Sequence, residues 1–105
     1  MDRLHLREGT FPHDIMRDIE KIESILVRHG ALKIILYGSL ARGDYHIDSD
    51  IDICFEGIPD DKYFRALAEI LMETDRRVSM CDFEDAYGHS RERILREGKI
   101  LYERQ

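Results

Sequence analysis

The 105-residue sequence has no tryptophan, only two cysteines and two prolines, and no long apolar run. Cys54 and Cys81 form neither a CxxC pair nor a zinc-ligand spacing, which excludes a disulfide framework and a structural zinc site. Both are expected to be free thiols buried among apolar, β-favouring neighbours. No stretch approaches the roughly 20 apolar residues of a spanning helix, and the charged start MDRLHLREGT has no signal-peptide core. The expectation is a cytoplasmic protein without a membrane partner. Excess positive charge is also lacking: 16 Lys+Arg against 22 Asp+Glu leave a net charge of -6. Phosphate backbones are gripped by clustered cations, so nucleic acid is not expected as a direct partner. None of the five histidines stands at a metal-ligand spacing, and they read as surface or capping residues.

What is present fits one domain over residues 1–105, with residues 1–10 as a loose or edge-forming arm. A domain of this size buries roughly 65% of the surface its unfolded chain exposes, which is one modest core without a second substrate-gripping module. Ile15, Ile19, Ile22 and Leu26 recur at helical spacing, predicting a helix over 12–29 with Thr10 as N-cap and Gly30 just past its end. KIILY at 33–37 is a short β-branched run halted by Gly38, hence a buried strand. A turn and short helical segment over 38–43 and a polar loop follow. Residues 50–55 alternate Asp-Ile-Asp-Ile-Cys-Phe, a second strand with its carboxylates on one face.

Asp60 or Asp61 can cap a helix that carries Phe64, Leu67, Ala68 and Leu71 on one face and ends near Thr74. Residues 77–81 read as a third strand with Val78 and Met80 on one side, Ser79 and Cys81 on the other. Ser90 would cap a last helix that stops at Gly98, before a final strand or extended tail over 99–102 in which Leu101 and Tyr102 pack on the sheet. Strands and helices interleave, so the fold class is α+β, a small mixed β-sheet flanked by helices.

The unusual residues concentrate in Tyr37-Gly38-Ser39-Leu40-Ala41-Arg42-Gly43 and Asp48-Ser49-Asp50-Ile51-Asp52. A strand ending in Gly-Ser and turning into a helix presents bare backbone N–H groups and a hydroxyl, which suits a phosphate. Asp50 and Asp52 project two carboxylates about 7 Å apart from one strand face, and Mg²⁺ is commonly held by one or two carboxylates plus substrate phosphates. Either half alone is commonplace, a turn or a solvated strand edge; together they describe a metal–nucleotide site. Arg42 could touch a phosphate or sit in a surface ion pair.

Gly38-Ser39, ten intervening residues and Asp50-Ile51-Asp52, within LYGSLARGDYHIDSDIDI, closely resemble the signature of the polymerase β-like nucleotidyltransferase superfamily, and more narrowly its minimal nucleotidyltransferase (MNT) group. RRVSMCDFEDA and RERILREGKILYE resemble that group's third-strand region and closing helix and tail. The resemblance implies the nucleotidyltransferase fold, catalytic and metal-binding Asp50 and Asp52 with two Mg²⁺ ions, and nucleotide binding by Gly38, Ser39 and Arg42. It implies transfer of a nucleotidyl group, AMP from ATP, to a hydroxyl acceptor. Relatives of this kind are commonly encoded beside a small helical HEPN-type toxin, so the expected acceptor is that partner protein and the expected role is antitoxin.

One departure stands out. The family's third carboxylate lies on the strand after the central helix, and Ser79 occupies that position. Asp82 has the wrong strand parity to replace it, so Ser79 is expected to face Asp50 and Asp52 while Asp82 does not. The alternative is therefore a catalytically degenerate nucleotide- or partner-binding module that acts by complex formation. Homo-oligomerisation is left open.

Overall fold

Ile15, Ile19, Ile22 and Leu26 line one side of α1 (His13–Arg28) and are all nearly inaccessible in the structure, a computed structural model that describes residues 11–104. The expected arm over 1–10 and the expected cap Thr10 lie outside the described residues. Pro12 takes the N-cap position, without a side-chain bond. Its carbonyl accepts from the Met16 N–H at 3.0 Å, and its fixed φ suits a helix start.

β1 (Lys33–Tyr37) ends at Gly38 and leads into the single turn of α2 (Ser39–Arg42). β2 (Ile51–Glu56) follows a polar loop, α3 (Asp60–Glu73) crosses over, and β3 (Val78–Asp82) returns parallel to β2. A 3-10 turn (Phe83–Asp85), not expected from the sequence, joins β3 to α4 (Gly88–Glu97), and β4 (Lys99–Glu103) closes the chain. The sheet order is β3-β2-β1-β4; β1 is antiparallel to both β2 and β4. The mixed sheet flanked by helices matches the expected class.

One sheet face carries Ile34, Leu36, Ile53, Phe55 and Val78 against α1 and α3, and this cluster is the main core. The other face is half covered, with Ile94 of α4 over Ile35 and Cys54. Leu101 and Tyr102 are buried, as expected. Asp18, on the buried side of α1, accepts from the N–H groups of Asp75 and Arg76, both at 3.1 Å, and so ties α1 to the start of β3.

Four expectations need correction. α3 buries Ala66 and Ile70 and leaves Phe64 75% and Leu71 57% exposed, so the face expected inward points largely outward. The helix is apolar on more than one side, and contact with α1 rather than periodicity selects the face. Its cap position is Pro59, with Asp60 and Asp61 in the first turn, where they complement the helix dipole. α4 begins at Gly88, so Ser90 is inside the first turn and is not the cap. His29 keeps the capping half of its expectation, as the C-cap residue of α1, but is no surface group: it is nearly buried, and its Nε2 lies 2.7 Å from Glu69 Oε1.

Candidate active site

The cross-strand register assembles the site. Tyr37 pairs with Asp52, and Asp52 with Ser79, so all three share the face away from the main core. Sequence parity placed Ser79 opposite Val78 and Met80; the parallel register sets it directly beside Asp52. Asp82 pairs with Phe55 on the alternate parity, and its Oδ1 accepts from the Glu84 N–H at 3.0 Å, capping the 3-10 turn. Among the described residues no group of three potential metal-ligating side chains is assembled. At Ser79, where the resemblance led to the expectation of a third carboxylate position, the side chain is a hydroxyl.

Gly38 makes the central contact. Its φ of +77° lies in the region that favours glycine, and a Cβ there would overlap Asp52 Oδ2. The turn and the carboxylate therefore touch: the phosphate-type loop and the carboxylate strand meet at this residue. α2 is closed by the Arg42 N–H to Gly38 carbonyl bond at 3.0 Å and the Gly43 N–H to Ser39 carbonyl bond at 2.8 Å. The N–H groups at the start of this turn lack intrahelical partners, as at any helix start.

Asp52 is half-buried, and its carboxyl is pushed above the ordinary carboxylate value, first by desolvation and then by the charge of Asp50. Arg93 and Arg42 pull the other way without cancelling these effects. A half-buried carboxyl with a second carboxylate beside it fits a divalent cation, because the cation removes both the repulsion and the desolvation cost at Asp52. Asp50 stands just ahead of β2, with Oδ1 3.5 Å from Arg77 Nε. Arg42, a candidate phosphate contact, bonds Asp44 at 3.2 Å and Glu97 at 3.0 Å, and is held over the site as an ion-paired cation.

Several residues escaped sequence reasoning. Tyr37 joins the site through the antiparallel register, and Arg93 through α4, which also forms the Arg93–Glu97 pair at 3.8 Å. A cavity of about 420 Å³ beside these residues is lined by Tyr37, Cys81, Tyr87, Ser90 and Arg93, among others. The two cysteines are free, as expected, and in register; Cys54 is fully buried but Cys81 only partly so, which corrects the expectation that both are buried. Cys81 is drawn below its ordinary value by hydrogen bonding from Cys54 and from Tyr37, while the same Cys81 contact pushes Cys54 up. Desolvation and the same thiol push Tyr37 up. No helix among the described residues is long and apolar enough to cross a membrane.

Comparison with known proteins agrees with this fold. Two proteins of Methanocaldococcus jannaschii are similar in sequence. "Putative protein adenylyltransferase MJ1547" is 30% identical over 69 residues, 66% of this chain and 53% of its own length. "Putative protein adenylyltransferase MJ0604" is 36% identical over 77 residues, 67% of this chain and 77% of its own. The matched stretch thus spans about half the length of the first.

Among solved structures, a toxin-antitoxin crystal structure with AMP-PNP has a chain that superposes with a TM-score of 0.69 at 24% identity, over 82% of this chain and 73% of that one. A tri-AMPylated Shewanella oneidensis HEPN toxin in complex with MNT antitoxin gives 0.64 at 19% identity, over 84% and 71%. At these identities the superpositions speak for the fold. The sequence profile of the family described as Polymerase beta, Nucleotidyltransferase matches residues 20–105, from the middle of α1 through β4. The chain belongs to the polymerase β-type nucleotidyltransferase family.

Proposed function

We propose that the protein transfers AMP from ATP to a hydroxyl of a HEPN-type helical partner and acts as its antitoxin, in the cytoplasm. The observation that carries the reading is the contact between Gly38 and the Asp52 carboxylate, which puts a phosphate-binding turn and a carboxylate pair in one place. The names of the sequence relatives and the titles of the superposed complexes, one with AMP-PNP and one with an AMPylated HEPN toxin, support the direction of the transfer.

In this reading Gly38 and the backbone N–H groups after it hold the β- and γ-phosphates, with the Ser39 hydroxyl beside them. Arg42 is released from Asp44 to add a positive charge over the same phosphates. Asp50 and Asp52 would hold Mg²⁺, two ions in the family pattern, and the metal would supply charge stabilisation to the phosphates. Asp52 is positioned by Gly38, with Ser79 as its register neighbour on β3. Ser79 can accept or donate one hydrogen bond near the attacking hydroxyl, but its unperturbed hydroxyl is no general base.

The Ser79 position also favours a second reading from a different class, in which the domain binds nucleotide and partner and neutralises the partner by complex formation alone. Asp82 is engaged in its own cap and does not restore the missing carboxylate. One experiment separates the two. The protein is incubated with Mg²⁺, α-labelled ATP and the HEPN-type product of the neighbouring gene, alongside Asp52→Asn and Ser79→Asp. Label on the partner that Asp52→Asn abolishes is the expected result. Label that appears only with Ser79→Asp overturns the transferase reading in favour of the binding module.

A further inference from the structure

We propose that Cys54 and Cys81 form an oxidant-sensitive thiol pair beneath the site, in which a peroxide oxidises Cys81 and Cys54 resolves the product as an intrachain disulfide. The two stand directly opposite each other in the parallel register of β2 and β3, on the same face as Asp52 and Ser79. Neighbouring strands lie about 4.8 Å apart, inside the roughly 4.4–6.8 Å Cα separation that a disulfide spans. The strand register by itself brings them together.

Accessibility divides the roles. Cys81 lines the 420 Å³ cavity under α4 and meets small solutes through it. Cys54 is fully buried against Ile35 and Ile94, so a reagent from solvent reaches it only through its neighbour. The Tyr37 hydroxyl lies 3.7 Å from Cys81 Sγ and can donate to it. That hydroxyl is a polar partner for the sulfur and for an oxygen placed on it.

The chemistry balances with the peroxide as oxidant. Cys81 sulfur attacks one peroxide oxygen, the O–O bond breaks, and the other oxygen leaves as water, giving a sulfenic acid on Cys81. Cys54 sulfur then attacks the Cys81 sulfur. The S–S bond forms, the S–O bond breaks, and the hydroxyl departs as water with the Cys54 proton. Two thiols and one peroxide become one disulfide and two waters. The cross-link joins β2 to β3 two residues along from Asp52 and Ser79, so it fixes the strands that carry the site. The inference is independent of whether the site transfers a nucleotide.

The test treats the full chain with hydrogen peroxide and follows intact mass and mapped peptides, in native buffer and in urea. Loss of two hydrogens per chain, a Cys54–Cys81 peptide reversed by dithiothreitol, and faster reaction in native buffer than in urea are expected. With Cys54→Ala, Cys81 should instead accumulate as a dimedone-reactive sulfenic acid; Cys54→Ser serves if circular dichroism shows the alanine variant unfolded. Cys81 oxidised by two oxygens without a cross-link in the wild type overturns the proposal. So does a disulfide between chains, or reaction only in urea.

Discussion

The two faces of the sheet come from the same strands, yet one is dry and filled while the other is polar and half covered. On the first, Ile34, Leu36, Ile53 and Phe55 meet Ile19, Ile22, Leu26 and Ile70 with almost no exposure. On the second, Tyr37, Asp52, Ser79 and Cys81 alternate with them in the same strands, and α4 covers this face only in part, with Ile94 over Ile35 and Cys54. Period-2 alternation makes this division nearly automatic. It also separates tasks: the packed face stabilises the domain, and the open face can carry groups that cost stability. Asp52 is such a group, a half-buried carboxyl beside a second carboxylate and against Gly38.

The sharpest way to break the comparison is on the packed face. Ile53→Ala removes a fully buried side chain from the main cluster and should cost about 2–5 kcal/mol in urea unfolding. If it costs no more than a change on the open face, the division is wrong. Gly38→Ala should come next, at about 1–3 kcal/mol for the backbone alone, because its φ of +77° and ψ of -157° fall where essentially only glycine is found. Its Cβ also drives Asp52 aside, so loss of Mn²⁺ binding in a titration should exceed what the stability change explains.

Asp52→Asn should act in the opposite sense on stability. The folded carboxyl value is raised, so the native state holds its proton more tightly than the unfolded chain. Stability from this group is fully present below the ordinary Asp value, near pH 4. It declines as pH rises through the window up to the raised value, and the ionised group is a net cost above it. The variant should therefore be more stable than wild type at neutral pH, by under about 1 kcal/mol because half the group is screened by solvent. That gain should vanish on acidification, and the variant should not bind Mn²⁺. The smallest effect is expected outside both faces: Met72→Gln, 85% exposed on α3, should change stability by no more than about 0.5 kcal/mol.

Much of the fold was legible because local rules act on contiguous residues. The apolar spacing of α1, the halt of β1 at Gly38 and the alternation of β2 each follow from a single segment. The inward face of α3 was not legible, since Phe64–Leu71 and Ala66–Ile70 are both apolar arcs and only the crossover onto α1 chooses between them. The same limit hid Asp18, whose two backbone donors come from residues 57 and 58 positions away.

For the proposed site, the sequence by itself determined the chemical parts: Gly38 and Ser39 at the end of a strand, Asp50 and Asp52 at the start of the next, and a serine, Ser79, on the strand after α3. Those are properties of residue type and short spacing. Only the tertiary structure decided that Gly38 rests on Asp52, that Ser79 is the neighbour of Asp52 while Asp82 caps its own turn, and that Cys54 meets Cys81. Strand register sets each of these contacts, and register is fixed by the summed packing of the whole sheet rather than by any one segment.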